Sequence, residues 1–440
     1  MKSDTLPTTK VARGRVVGKA MLKIGAQRGK DTLKMAFLSD KQKSIAKEES
    51  HQATAKIIMD SLGELKGLSV KLAQQIALSM PFLPQSYLDE MSRSFQSVPS
   101  LNRPLVRKII HQELGGYPDE VFEEFDSRAF GSASLGQVHR ATRDNEELAI
   151  KIQYPGVAKS IQSDLAMLRF ALSRFAKGRS IDHIIDEIAS RLYEEVDYLH
   201  EASTQEFFYR NLKHPYMVIP KVYSDISTNM VLSSTYIEGL SLDKFLQTNP
   251  SQELRDHYAQ ILFNSFFISL YELKRVHADP NPGNFIFMEK RRLGLIDFGC
   301  VKVIDDEFLR GYTTLHLALI DGADDSVVVK LYRELGMIDD GSMEEMLEFY
   351  QNIIKPLDRI YIEIFIEDSY SFRDKEYSKR GFEAIMRVQK EQIGAVDKFN
   401  SEYLFIDRAL LGYYAIFEKM EATVDSSFIK SIMRRKDTKC

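Results

Sequence analysis

The sequence predicts an α+β fold in which a helical extension precedes a strand-bearing part and then a second, mostly helical part. Three observations carry this. Apolar residues recur at helical spacing over residues 44–80, with Ile58, Leu62, Leu65, Leu72 and Ile76 on one stripe. Between Ala129 and Ile152 the pattern changes to short apolar runs broken by small residues, the signature of strands and turns. After Asp243 helical spacing returns, interrupted by one hairpin at Phe285–Ile296. A length of 440 residues exceeds one ordinary domain.

Taken in order, residues 1–43 form a basic leader. Lys2, Lys10, Arg13, Arg15, Lys19, Lys23, Arg28 and Lys30 stand among apolar residues, against Asp4 and Asp31. Such a segment suits peripheral contact with an anionic membrane or an isoprenoid lipid. A solvated leader and an organelle-targeting peptide are equally compatible with its chemistry. Residues 44–116 are the helical extension. Pro81 and Pro84 end its first helix, and a second runs from Pro104 to Leu114, closed by Gly115-Gly116. Residues 117–237 hold the strand-bearing lobe. There Gly131–Gln137 is a small-residue loop, Leu148–Ile152 a strand, and Val157–Lys177 and Ile181–Leu212 are helices. Strands are expected at Tyr216–Tyr223 and Met230–Tyr236, before a break at Glu238-Gly239. Residues 238–440 form the helical lobe.

Composition excludes several classes. Hydrophobic residues at 44% and charged residues at 28% are ordinary for a folded chain. A net charge of -4 gives no reason to expect a nucleic-acid partner. Two cysteines, Cys300 and Cys440, make no disulfide scaffold, and Cys300 reads as a small core residue. No run reaches the ~18 apolar residues that cross a bilayer, so a cytoplasmic protein, in contact with membranes only at their surface, is expected. Oligomeric state is not legible.

The chemistry is concentrated in two stretches. His277-Ala278-Asp279-Pro280-Asn281-Pro282-Gly283-Asn284 places an Asp five residues ahead of an Asn, and Asp297-Phe298-Gly299 follows. Nucleotide phosphates carry dense negative charge, and hard cations that neutralise it prefer carboxylate and amide oxygens. Asp297 and Asn284 are therefore the expected Mg²⁺ ligands, and Asp279 the residue that orients a hydroxyl or a water for phosphoryl transfer. Lys151, in the strand Ala149-Ile150-Lys151, is placed to reach the phosphates of ATP or ADP. An ion pair must orient it, and Glu201 is the expected partner. Glu194, Asp197 and Glu201 fall on one face if the helix is continuous. Gly131, Ser132, Ala133, Ser134 and Gly136, together with Lys151 and Glu238, form the expected nucleotide-binding set, although this loop alone is a tight turn and lacks a G-x-G-x-x-G pattern. His277 and His139 read as structural hydrogen-bond partners.

Several of these runs together resemble the UbiB/AarF-type atypical kinase-like family. They are Asp279-Pro280-x-Pro282-Gly283-Asn284-Phe285, Ser134-x-Gly136-Gln137-Val138-His139-Arg140-Ala141, and Glu195-Val196-Asp197-Tyr198-x-x-Glu201-Ala202. Lys71-Leu72-Ala73-Gln74 resembles the family's K-x-G-Q signature, and Arg408–Tyr414 its closing helices. The resemblance spans about Ser61 to Val424. It implies a bilobal protein-kinase-like fold whose N-terminal extension restrains phosphorylation of other proteins. It also implies that Lys71 and Gln74 act with Glu195 and Asp197 as a regulatory set, Lys71 pairing with Glu195 while Lys151 pairs with Glu201. ATPase activity responsive to lipid and a link to coenzyme Q or other isoprenoid-lipid metabolism are further implications. The chain departs from the family in having Ala73 where Gly is usual, and Gly131-Ser132-Ala133-Ser134 in place of an alanine-rich loop. It also ends in Met433-Arg434-Arg435-Lys436 where some members carry membrane-spanning helices. Two other readings fit parts of the pattern: a small-molecule kinase of the choline or aminoglycoside type, which lacks the extension, and a nucleotide-binding pseudokinase scaffold.

Overall fold

The fold is taken from a computed structural model, which describes residues 101–133, 135–159, 161–162, 165–166, 169, 182–338, 340–373, 376–381, 383–384 and 401–437, with scattered helical positions at 15, 18–19, 22–27, 29, 50 and 57. Lys71, Gln74 and Ser134 lie outside the described residues, as does nearly all of the leader and of the helix expected over 44–80. The chain divides into two compact units, one comprising Met1–Ala202 with Val222–Tyr236, the other Ser203–Lys221 with Ile237–Cys440.

Within the first unit, helix α1 spans Arg103–Leu114. Asn102 caps it, its side chain accepting from Leu105 N at 3.0 Å, and Pro104 fits the first turn because no helical N–H is needed there. Gly115 ends it with φ +81°, a left-handed conformation that glycine adopts without strain. A mixed-length antiparallel sheet follows: β1 (Glu124–Phe125), β2 (Gly131–Ala133), β3 (Gly136–Arg143), β4 (Glu146–Gln153) and β5 (Val231–Thr235). β3 is central in register to its neighbours, pairing Val138 with Lys151 of β4, while β4 pairs Lys151 with Leu232 of β5. Leu148, Ile150 and Ile152 alternate with the polar-facing positions of β4 and are fully buried. With Val106, Ile109 and Ile110 of α1 and Ile185, Ile188 and Leu192 of the helix Asp182–Glu195 they form this unit's core.

The helix expected over Ile181–Leu212 is two helices, α2 (Asp182–Glu195) and α3 (Tyr198–Asn211). Asp197 is the reason: its carboxylate accepts from His200 N at 3.0 Å and so caps a new helix instead of continuing the old one. The single acidic face of Glu194, Asp197 and Glu201 is accordingly absent. The strand expected over Tyr216–Tyr223 reduces to Met217–Val218. Pro220 has no N–H to pair, and its carbonyl is taken by the Gln205 side chain at 2.9 Å.

In the second unit the long helix α4 (Gln252–Tyr271) is buried nearly all round, as its run of apolar residues requires. Two short ladders flank it. β6 (Arg275–His277) pairs with β9 (Val301–Val303), and β7 (Phe285–Phe287) pairs with β8 (Leu293–Leu295) in the expected hairpin. Helices α5 (Asp306–Ile320) and α6 (Asp325–Glu334) follow. A further short helix, Met343–Phe349, passes through a π-helical turn at Tyr350–Ile354 into α7 (Lys355–Ile366). Pro356, which offers no N–H, stands at the change of winding. β10 (Ser369–Ser371) and β11 (Thr423–Asp425) pair around helix α8 (Ser401–Lys419), and α9 (Ser427–Asp437) ends the described chain. The basic residues of α9 are engaged by acidic neighbours: Arg434 meets Asp321 at 2.7 Å and Lys436 meets Glu272 at 3.0 Å.

Candidate active site

In the first unit, β4 and α3 bring Lys151 and Glu201 together. Lys151 Nζ lies 2.8 Å from both carboxylate oxygens of Glu201. The Glu201 side chain is 3% exposed and that of Lys151 15% exposed. A carboxylate buried to that degree needs a cation close by, and a two-oxygen contact fixes where the ammonium can sit. Lys151 also lies over the Tyr198 ring, 5.0 Å from its centre. Glu201 stands in the first turn of α3 and Asp197 is that helix's cap, so the break that removed the expected acidic face is what aims Glu201 at the sheet. Glu195 is buried at the end of α2.

The small-residue loop is tighter than the sequence suggests. Gly131 pairs with Val138 and Ala133 with Gly136, so strands reach almost to the turn. Neither glycine here has positive φ, since the left-handed glycines are Gly115, Gly156, Gly322 and Gly336 among the described residues. Gly136 is needed for close approach instead: a Cβ there would meet the Ile152 carbonyl and come 2.7 Å from the Tyr198 hydroxyl. His139 is fully buried between Gln137 Nε2 at 2.7 Å and the Asp126 carbonyl at 2.9 Å, and burial lowers its pKa.

In the second unit, the two ladders clamp the two remaining motifs. Asp279 follows β6, Asn284 precedes β7, and Asp297 lies between β8 and β9. Asn281 accepts from Gly283 N at 2.9 Å, closing a turn over Pro282. Asn284 Nδ2 donates to the Asp279 carbonyl at 3.1 Å. With its amino group committed in this way, Oδ1 is the atom of Asn284 suited to a cation. Asp297 has φ +66°, a left-handed conformation that short polar residues tolerate. Its carboxylate accepts from Gly299 N at 3.3 Å, and its carbonyl accepts from His277 Nε2 at 2.6 Å. His277 is buried, edge-on to Phe298 with ring centres 5.6 Å apart. It therefore serves the backbone of the Asp297 turn. Glu238 is exposed, while Gly239 beside it lies close against Phe287.

Helix α8 supplies two residues, Gly412 and Tyr413, that had no expected role at the site beyond their place in the Arg408–Tyr414 run. A Cβ on Gly412 would strike the ring of Pro280, coming 2.7 Å from its Cβ and nearer still to its Cγ. Tyr413 is buried beside Phe266 and Phe285, and burial followed by the nearby Asp279 charge pushes its phenol pKa up. The signal available was a glycine in the interior of a strongly helical run, which is costly unless something must approach closely.

The donor set fits a hard divalent cation such as Mg²⁺: a carboxylate from Asp297, an amide oxygen from Asn284, and no sulfur. Among the described residues no three His, Cys, Asp or Glu side chains gather into a closed metal centre. Among the described residues no helix is long and apolar enough to cross a membrane.

Comparison with known proteins identifies the family and the fold. The family model of the ABC1 atypical kinase-like domain matches residues 93–331, more than half of the chain. Probable serine/threonine-protein kinase abkA of Dictyostelium discoideum is 26% identical over 97% of this chain and 80% of its own length. Atypical kinase COQ8B, mitochondrial, of Rattus norvegicus is 30% identical over 61% of this chain and 54% of its own. The chain spans 35% of Protein ACTIVITY OF BC1 COMPLEX KINASE 8, chloroplastic, of Arabidopsis thaliana. In fold, the chain matches the Rv3197 protein of Mycobacterium tuberculosis, solved with erythromycin, at a TM-score of 0.60, 24% identity, and coverage of 89% of this chain and 97% of that one. With the Lys–Glu pair, the D-x-x-x-x-N loop and D-F-G set on a kinase-like scaffold of mixed helix and strand, the chain belongs to the ABC1 (UbiB/AarF) family of atypical kinase-like proteins.

Proposed function

We propose that the chain is a Mg²⁺-dependent, ATP-binding kinase-like protein with ATPase or phosphotransferase activity. The observation that carries this is the buried pair in which both oxygens of Glu201 hold Lys151 Nζ at 2.8 Å. A lysine fixed in this way is suited to the α- and β-phosphates of ATP or ADP. Asp297 and Asn284 are the residues that would hold Mg²⁺, which when bound neutralises the phosphate charge. Asp279 orients the attacking hydroxyl or water, and its loop is held by Asn284 from one side and by α8 from the other. Gly131 to Gly136 form a short turn over which phosphates can approach backbone. Lys71 and Gln74, with Glu195 and Asp197, would regulate turnover. The family and its atypical-kinase relatives support service in isoprenoid-quinone or related lipid metabolism, at a membrane surface reached through the basic leader.

The test is a thermal-shift titration with Mg-ATP on the parent and on Asp297→Asn, together with phosphate release measured with and without anionic liposomes and a quinone-precursor phenol. The parent should gain stability with Mg-ATP as a tight ligand would confer it, and Asp297→Asn should not. Equal stabilisation of both would remove Asp297 from the site, and no stabilisation of the parent would refute nucleotide binding altogether.

A further inference from the structure

Within the second unit, α4, β6, β7, β8 and α8 enclose a cavity of about 10 Å³. Ser265, Ser269, His277, Phe285, Leu295 and Tyr413 are among its walls. Two of the polar atoms on these residues, Ser265 Oγ and His277 Nδ1, are buried without a hydrogen-bond partner among the described residues. Both residues are at least nine-tenths buried, Ser265 at 5% exposure and His277 at 3%. Buried polar atoms in folded proteins are nearly always paired, so two orphans on one cavity need a common explanation.

Chemistry narrows it. His277 Nε2 meets the Asp297 carbonyl, which can only accept, so Nε2 carries a proton, and in the neutral ring that leaves Nδ1 with a lone pair. Nδ1 therefore needs a donor. The Ser269 hydroxyl cannot supply one, because it already donates to the Ser265 carbonyl at 2.7 Å, but its oxygen can still accept. The volume matches one water molecule, and water needs two to four polar partners to be held in such a place. The cavity walls carry no carboxylate that would call for a cation.

We propose that this cavity binds one ordered water, which donates to His277 Nδ1 and to Ser269 Oγ and accepts from the Ser265 hydroxyl. Ser265, on a helix that carries none of the motif residues, is thereby a positioning residue for Asp297: it fixes the water, the water fixes the imidazole, and the imidazole holds the Asp297 carbonyl. The link to nucleotide binding rests on the function proposed above, whereas the water site does not.

The experiment has two parts, both made on the full chain. First, without nucleotide, a crystal structure at a resolution that orders internal water, with ¹⁵N-histidine NMR on the parent, Ser265→Ala and Ser265→Cys. The expected result is a water within about 3.2 Å of both orphan atoms, and a His277 Nδ1 resonance that moves in Ser265→Ala while the Nε2 proton stays bonded. Ser265→Cys, close in size and still a weak donor, should shift the resonance less, and it serves if Ser265→Ala does not fold. A direct Ser265–His277 bond, absence of density at the cavity, or an unmoved Nδ1 resonance would overturn the proposal. Second, Mg-ATP affinity should fall about tenfold in Ser265→Ala, as loss of a supporting partner behind a metal ligand does. Unchanged affinity in a variant whose Nδ1 has moved would overturn the positioning role. A parent that binds no Mg-ATP would count against the proposed function, and the first part would still decide the water.

Discussion

Replacing Gly412 by alanine tests whether α8 sets the position of the Asp279 loop. The added methyl would lie 2.7 Å from Pro280 Cβ, with Cγ nearer still. Carbon atoms rest about 3.5 Å apart at the closest comfortable contact, so the proline ring must retreat by roughly 1 Å. Two terms oppose each other in stability. Overpacking costs about 1–3 kcal/mol, while alanine in a helix interior is favoured over glycine by about 1 kcal/mol. The net destabilisation should be small, between about zero and 2 kcal/mol, or a few degrees in Tm for a unit of this size. Catalysis is far less tolerant, since a displacement of about 1 Å at a reacting group can cost about a hundredfold. The expected outcome is a phosphate-release rate about a hundredfold lower, with a thermal transition shifted by only a few degrees and Mg-ATP binding retained through Asp297 and Lys151. A rate within twofold of the parent in a folded Gly412→Ala protein would refute the reasoning, because it would mean that Pro280 moves without moving Asp279 or that Asp279 does not act.

Lys151→Met should destabilise the chain by about 3–5 kcal/mol in urea denaturation, because it strands a buried carboxylate. The double change Lys151→Met with Glu201→Gln should recover most of that loss, and an unrecovered double variant would show that the cost lies elsewhere. Asp358, buried and bonded to the Tyr332 hydroxyl, has its pKa pushed up to about 7 by desolvation, against an ordinary value of 3.8. The folded chain therefore holds that proton more tightly than the unfolded one, so stability from this group declines as pH rises from about 4 to about 7, by on the order of 4 kcal/mol. Asp358→Asn, compared with the parent at pH 5 and pH 7.5, should gain stability relative to it at the higher pH. An identical pH dependence in the two proteins would contradict the assignment.

Local rules in the sequence located elements well where one residue type decides the outcome. Pro104 and Gly115 marked the ends of α1, and the run Leu148-Ala149-Ile150-Lys151-Ile152 marked the strand. The β7–β8 hairpin was legible for the same reason. Less visible was the split between α2 and α3. An acidic residue spaced three positions from another satisfies helical periodicity whether it continues a helix or caps the next, and only the His200 N–H contact distinguishes the two. Short strands such as β6 and β9 escaped notice because three residues are too few to show a period. The contact between Gly412 and Pro280 joins positions far apart in the chain: a glycine inside a strongly helical run signals that something approaches closely, but not that it is Pro280. Asp358 likewise looks like a solvent-facing residue by type, and its place among Tyr332, Tyr350 and Tyr403 arises from how α6, α7, α8 and the π-helical turn pack.

One chain of bonds in the first unit has a direction. Leu101 N donates to Gln137 Oε1 at 2.7 Å, the amide nitrogen of Gln137 meets His139 Nε2 at 2.7 Å, and His139 Nδ1 meets the Asp126 carbonyl at 2.9 Å. Each group gives a proton to the next, and an imidazole carrying a second proton would turn the middle link donor against donor. A second proton on His139 would therefore oppose the Gln137 side chain that holds Leu101 N, so the burial that keeps the ring uncharged also keeps this run of bonds intact.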